Sequence, residues 1–297
     1  MSKLIDFFSY PVSEVLPDLL MDRTTGRHII FATDGYEGYS KTDEITVDAV
    51  IKINPRVTKT FEGQIARTRE KAEVFTPSWL CNQMNNHCDK EWFGREGVFN
   101  VETEQGWTTN EEAVAFDSPK GWKEYVQSNR LEITCGEAPY LVSRYDAATG
   151  ALIPVGDRIG ILDRKLRVVK ENTKRQADWL RWTLKAFQSV YGYEFQGDNL
   201  LLARANLLLT FTEYLKERWE RDATIDELHG IADVISWNIW QMDGLKCSPP
   251  YYEPTKESEQ LGLFDVLEKK EESVDSVIFD WVAKTTIPYK NLKKREK

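Results

Sequence analysis

YGYEFQGDNLLLARANLL, residues 191–208, is the stretch of sequence that decides the fold. Its beginning is predicted as a strand over Tyr193–Phe195, and this strand contains Glu194. A long helix rich in leucine and alanine is predicted from Asn199 to about Trp219. Asp198, between the two, is interpreted as the residue that caps this helix. A strand that leads directly into a helix is typical of an α/β domain with a mostly parallel sheet.

Helices and short apolar strands alternate on both sides of this stretch, beginning at about Glu73. A capping box formed by Thr224 and Glu227 marks the start of one of these helices. The other predicted elements are a helix over residues 119–129, a strand over Leu131–Thr134, a helix from about Lys174 to Val190, a helix that ends near Ile235, and a strand over Asn238–Gln241. The fold class is therefore predicted as α/β.

Three regions follow from this pattern. Residues 1–70 are predicted as an N-terminal α+β extension, with a helix at Val12–Leu20 and strand-like pieces at 27–33 and 45–53. Residues 71–245 form the predicted core, within which about 144–174 look like an insertion with a basic cluster at 164–170. Residues 246–297 are predicted as a partly ordered C-terminal tail.

Composition limits the classes of function. The 297 residues carry a formal net charge of −9, which argues against a stand-alone nucleic-acid binder but not against an enzyme whose DNA-binding domain lies on another chain. The sequence has no run of about 18 apolar residues and no signal-peptide pattern, so a cytoplasmic protein without membrane contact is expected. Cys81, His87 and Cys88 have no second ligand pair, and no metal is expected.

Three carboxylates lie at or near the ends of the predicted strands: Glu132 in LEITCGEAPYL (131–141), Glu194, and Asp243 in NIWQMDGL (238–245). Ligands of doubly wound sheets bind beyond the carboxyl ends of the strands. Each acid alone is more often a helix cap or a solvated residue. Together they suggest a nucleoside-shaped pocket, in which Glu194 accepts from both ribose hydroxyls and Asp243 accepts from an adenine amine.

These residues resemble the gamma-type N6-adenine DNA methyltransferases of restriction–modification systems. In that family a segment ending in Phe-Thr-Pro precedes the glycine loop, the ribose acid and the adenine acid, and here KAEVFTPSWLCNQMNN occupies 71–86. The resemblance covers about 71–245 and implies a Rossmann-like, class I fold that binds S-adenosylmethionine (SAM). It implies cofactor contacts from Phe75, Thr76, Pro77, Glu132, Gly136, Ala138, Glu194 and Asp243.

The chain also departs from the family pattern. The loop usually reads Asp-Pro-Ala-Cys-Gly-Ser-Gly, whereas here Glu137 and Ala138 replace its last two residues. The catalytic motif is Asn/Asp-Pro-Pro-Tyr/Phe after a fourth strand. The chain has Ser248, Pro249, Pro250 and Tyr251, a form similar to that of cytosine-N4 enzymes. Only four residues separate this tetrapeptide from Asp243, so we interpret it as a proline-rich loop and a weak catalytic candidate.

The sequence therefore predicts the SAM-binding part of a site-specific DNA adenine-N6 methyltransferase from a restriction–modification or phage system. Its expected partners are DNA and a second methyltransferase or restriction subunit, which would supply the catalytic motif and DNA recognition. One alternative is a non-catalytic module that binds SAM or a partner. Another is a complete small methyltransferase that uses Ser248–Tyr251.

Overall fold

The computed structural model describes residues 3–59, 76–252 and 274–293. The helices in these ranges are α1 (Val12–Leu20), α2 (Ser78–Phe93), α3 (Gly121–Gln127), α4 (Ile161–Asn172), α5 (Gln176–Gln188), α6 (Gly197–Trp219), α7 (Ile225–Asn238) and α8 (Lys290–Lys293). The strands are β1 (Asn100–Thr103), β2 (Gly106–Thr109), β3 (Arg130–Ile133), β4 (Val190–Glu194), β5 (Ile239–Gln241), β6 (Val277–Asp280) and β7 (Thr285–Pro288). Short 3₁₀ helices span Ala49–Lys52, Arg56–Thr58 and Val155–Asp157.

A three-stranded parallel sheet lies at the centre of the fold, in the order β3-β4-β5. Glu132 of β3 lies opposite Gly192 of β4, and Glu194 of β4 lies opposite Gln241 of β5. Helices α4 and α5 connect β3 to β4, and α6 and α7 connect β4 to β5. The predicted α/β class is confirmed, and each of the three predicted core strands forms within three residues of its expected position.

The two faces of this sheet are covered differently. On one face, Val190 and Ile239 belong to a large apolar core that includes the leucines of α6. On the other face, Tyr193 and Trp240 pack with Ile278 and Tyr289 of the C-terminal region. The antiparallel pair β6–β7 is therefore part of the folded domain. The sequence predicted a partly ordered tail here, and the described part of that tail packs against the sheet.

The N-terminal region is joined to the core through Arg204 in the middle of α6. This fully buried guanidinium donates hydrogen bonds to the carbonyls of Leu19, Met21, Ser236 and Ile239. Burial away from water lowers the pKa of Arg204 to about 10. The predicted helix at Val12–Leu20 is confirmed, and it packs against α7 and α6.

The predicted strands at 27–33 and 45–53 do not form. This part of the chain makes only isolated bridges, Met21 to His28 and Ile30 to Glu44, and a 3₁₀ helix follows at Ala49–Lys52. The reason lies partly in Gln241, whose side-chain amide bonds both the N–H and the carbonyl of Ile30. The backbone groups that a strand would use are satisfied by this side chain.

The segment expected as an insertion contributes α4, which is built into the core. Leu162 and Leu166 are fully buried. The basic cluster 164–170 is not the solvated face that its sequence suggested, because Arg164 and Lys165 are buried as well. Arg164 bonds Asp89 and two asparagines of α2, and Lys165 donates to the Ser128 carbonyl and the Ser189 hydroxyl. Arg164 is paired with a carboxylate, which offsets the cost of its burial. Lys165 has only neutral partners, and desolvation together with the charge of Arg130 lowers its pKa well below the usual value.

No helix within the described ranges has both the length and the apolar composition that a membrane span requires.

Gly197, at the start of α6, sets a steric limit on the N-terminal region. A Cβ added there would lie 1.9 Å from the carbonyl oxygen of Ile30, so we expect Gly197→Ala to lower the free energy of unfolding by about 3 kcal/mol. Gly230 in α7 is the matched control, because a Cβ there meets no atom within 4 Å. Gly230→Ala should raise stability by up to about 1 kcal/mol. Urea denaturation of both variants tests this, and equal effects would contradict it.

Candidate functional site

Glu194 connects the loop after β3 to the first turn of α6. Its Oε2 accepts the N–H of Gly136 at 2.9 Å. Its Oε1 accepts the N–H groups of Phe195 and Gln196 at 3.0 and 3.1 Å. The carboxyl is buried, and desolvation raises its pKa while the three N–H donors oppose that shift. One carboxylate therefore fixes the carboxyl ends of two neighbouring strands.

The loop after β3 has an unusual backbone, in which Thr134, Gly136 and Ala138 all have positive φ angles of 47°, 54° and 65°. A Cβ added at Gly136 would meet nothing within 4 Å, so there is open space beside this residue. Such a position lets a ligand approach the backbone closely. The structure brings the predicted residues Gly136 and Glu194 together at this point.

Gln196 is a candidate site residue that the sequence reasoning missed. Its Oε1 is buried and has no hydrogen-bond partner in the part of the chain that the structure describes. Buried acceptors are usually paired, so an acceptor left over two residues after Glu194 fits a ligand that carries hydroxyl or amine donors. Only its place after a strand-end acid would have indicated it in the sequence.

Glu132 has a different position from the one expected beside a ligand. It is buried within β3, where its carboxylate accepts the N–H groups of Tyr140 at 3.4 Å and Leu141 at 3.1 Å. Desolvation raises its pKa to about 8, which these two backbone donors partly oppose. Glu132 therefore holds the far end of the loop that contains Gly136 and Ala138.

Glu137, the charged departure from the family loop, is likewise buried. Its carboxylate accepts from the Tyr145 hydroxyl and from the Arg56 N–H at 2.8 Å. Burial and the neighbouring carboxylate of Glu137 raise the pKa of Tyr145 well above its usual value. Glu137 therefore joins the loop to the N-terminal region.

Asp243 follows β5 and organises a tight turn. Its Oδ1 accepts the N–H groups of Leu245 at 2.9 Å and Lys246 at 3.1 Å, and its own N–H donates to the Ser248 carbonyl. Oδ2 has no hydrogen bond to any residue in 3–59, 76–252 or 274–293. No hydrogen bond among those residues joins Asp243 to Glu194, although the N–H of the preceding Met242 donates to the Glu194 carbonyl at 3.0 Å.

Asp198 was predicted as the cap of α6, and this prediction is wrong. The cap position belongs to Gln196, and Asp198 lies buried in the first turn. Its carboxylate accepts from the Tyr36 hydroxyl at 2.6 Å and pairs with Lys59 at 3.6 Å. Asp198 therefore connects the first turn of α6 to the N-terminal region, and its Oδ1 also accepts the N–H of Asn199 at 2.9 Å.

Ser248, Pro249, Pro250 and Tyr251 follow the Asp243 turn directly. The first three are buried, and Tyr251 is half exposed. The ring of Tyr251 lies 5.7 Å from the ring of Phe195, with Lys41 Nζ 4.7 Å from its centroid. The tetrapeptide thus ends beside the residue that follows Glu194.

The Phe-Thr-Pro segment is described only in part. Phe75 lies outside the described residues, while Pro77 is the N-cap of α2 and the carbonyl of Thr76 accepts from Cys81. The side chain of Tyr140 hydrogen-bonds Thr76. Thr76 is therefore next to the loop after β3, on the side that Glu132 holds.

No group of three or more His, Cys, Asp or Glu side chains suited to a metal ion occurs among the residues whose placement is described.

Glu132 gives a pH dependence that can be measured. Its pKa is raised from 4.5 to about 8, so the folded protein retains a proton that the unfolded chain releases in this range. The stability from this proton is fully present below about pH 4.5 and is lost as the pH rises to about 8. The loss reaches at most about 1.4 kcal/mol per pH unit.

Glu132→Gln should remove this slope. Denaturant titrations of wild type and variant at half-unit pH steps measure the difference between them. The prediction fails if the two stabilities differ by the same amount at pH 5 and pH 8.

Comparisons of the chain with protein-family models, with curated proteins and with solved structures found no match.

Proposed function

We propose that the chain is the SAM-binding part of a site-specific DNA adenine-N6 methyltransferase with a Rossmann-like core. The observation that carries the proposal is the bond from Gly136 N–H to Glu194 Oε2, because it joins the glycine loop to the acid of the next strand. Those two positions are the ones that a nucleoside ligand uses at the carboxyl end of a doubly wound sheet. The consecutive order β3-β4-β5 also supports it.

The residues fit such a ligand best around Glu194. Its Oε2 accepts one hydrogen bond and retains capacity for a ribose hydroxyl, and the unpaired Oε1 of Gln196 adds a second acceptor. The open space at Gly136 suits the methionine part. Asp243 uses Oδ1 within its own turn, and its Oδ2 would accept a hydrogen bond from the adenine amine. SAM would supply an electrophilic methyl group, and the role of these side chains is to bind and orient it.

DNA recognition and the catalytic motif are assigned to a second polypeptide. The net charge of −9 is a poor match for DNA phosphates, so this chain contributes little to the electrostatic part of DNA binding. The target adenine would have to leave the duplex to reach the methyl group. Transfer would then depend on how the two chains position both reactants.

Gly136→Asn tests SAM binding directly. Asparagine tolerates a positive φ angle, so the variant should fold while its side chain fills the open space beside the loop. We expect at least a tenfold weaker Kd for SAM by isothermal titration calorimetry. Gly94→Asn is the matched control, since Gly94 has φ 65°, meets nothing within 4 Å and lies at the end of α2. Failure of the wild type to bind SAM would refute the proposal.

A complete small methyltransferase is a second candidate, favoured by the contact of Tyr251 with Phe195. Transfer of labelled methyl groups from SAM to DNA distinguishes the two. Under the proposal, the chain alone gives no transfer, and the product of the neighbouring reading frame is required. Strong transfer by the chain alone, abolished by Tyr251→Ala with SAM binding intact, would instead establish the second candidate.

A further inference from the structure

The strand β3 has an open edge. Within the described ranges it pairs only with β4, and the Arg130 N–H donates to the carbonyl of Ser189, the residue directly before β4. Backbone groups of successive residues in a strand point to opposite sides, so those of Leu131 and Ile133 point away from β4. The Ile133 carbonyl accepts from the Thr134 hydroxyl at 2.7 Å. The N–H groups of Leu131 and Ile133 and the carbonyl of Leu131 have no hydrogen-bond partner among the described residues, so a further strand can pair with them.

The side chains on this edge are apolar and exposed. Leu131 is 45% exposed and Ile133 is 62% exposed, whereas Glu132 between them is buried. Strands of parallel sheets are normally buried on both faces. An apolar edge strand without cover is the kind of surface to which another strand adds.

Apolar surface flanks the edge on both faces of the sheet. On the side of β6–β7, a cavity of about 600 Å³ is lined by Leu131, Tyr191, Ile278 and Trp281, among others. On the opposite side, Trp92 of α2 is 42% exposed, and the guanidinium of Arg130 lies 5.6 Å from its ring centroid. A strand added to β3 would therefore meet apolar side chains above and below.

Arg130 adds a polar requirement at the start of the edge. Its Nη2 is buried and donates to no residue in the described part of the chain. An added strand could supply a carbonyl or a carboxylate that accepts a hydrogen bond from this nitrogen. The occupant is thus a strand that can bond the unpaired N–H groups of Leu131 and Ile133, place apolar side chains on both faces of the sheet, and bring an acceptor to Arg130.

We propose that the edge of β3 is the docking site for an extended, apolar segment of a second polypeptide, which joins the sheet as a fourth strand. The proposal rests on the proposed function in one respect, because it names where the second polypeptide of that function binds. A second copy of this chain fits less well. Its own β3 would bring the charged Arg130 and Glu132 to one face and apolar residues only to the other.

The test uses a fluorescein-labelled peptide of alternating valine and isoleucine, flanked by lysines and by one glutamate. Anisotropy is measured with the full chain in the absence of SAM, so that its outcome is independent of cofactor binding. We expect saturable binding that is at least tenfold weaker for a peptide N-methylated at every second amide. N-methylation removes the donors of one edge and leaves the side chains unchanged.

Variants of Ile133 locate the site. Ile133→Asp places a charge on the apolar edge, and Ile133→Pro removes only an N–H that points away from β4. Each should weaken peptide binding at least tenfold while urea denaturation shows a folded protein. Ile51→Asp is the matched control, because Ile51 is an equally exposed isoleucine (67%) in the 3₁₀ helix Ala49–Lys52. It should leave binding unchanged.

Three results would overturn the proposal. They are absence of peptide binding, binding that both Ile133 variants retain, and a dimer of the chain in sedimentation velocity that Ile133→Asp dissociates. The last result would assign the edge to a second copy. SAM binding, measured separately, reports on the proposed function and is expected to survive both Ile133 substitutions.

Discussion

The buried carboxylate of Glu194 is the constraint on which the candidate site depends. It accepts three backbone N–H groups, and these belong to the loop after β3 and to the residues that lead into α6. A second bond, from the Cys135 N–H to the Tyr193 carbonyl at 2.9 Å, holds the start of the same loop at β4. The position of Glu194 leaves its carboxylate partly available, so one group both shapes the site and offers an acceptor within it. Hydrogen bonds that a carboxylate accepts from backbone N–H groups are among the stronger hydrogen bonds in proteins.

A second group of buried polar contacts places the loop itself. Glu132 holds the N–H groups of Tyr140 and Leu141, and Glu137 holds that of Arg56. Glu132, which the sequence predicted as a ligand contact, and Glu137, which departs from the family loop, both anchor the backbone instead. Ala138, which takes a positive φ angle where the gamma-type methyltransferase pattern has glycine, lies in a loop whose backbone N–H groups are held by Glu132 and Glu194.

The sequence predicted the elements that have strong periodicity or local signals. The capping box of Thr224 and Glu227 forms as expected, and α6 begins within two residues of its predicted start. The sequence did not predict the features that depend on partners far apart along the chain. Ile30 bonds a side-chain amide from β5, and Arg164 is buried among residues of α2, although both segments resemble ordinary surface or strand sequence. Asp198 was assigned wrongly because a cap and a first-turn acid look alike without the backbone angles.

Arg204 has a consequence for how the molecule unfolds. Its guanidinium donates hydrogen bonds to carbonyls at the end of α1, near the end of α7 and in β5, and the side chain is fully buried. Separating the N-terminal helix from the rest would leave a buried cation with unmatched donors, at a large cost in free energy. Local opening of that helix is therefore disfavoured relative to global unfolding. Residues 12–21 and the parallel sheet should then behave as one cooperative unit, whose amide protons exchange together rather than in separate stages.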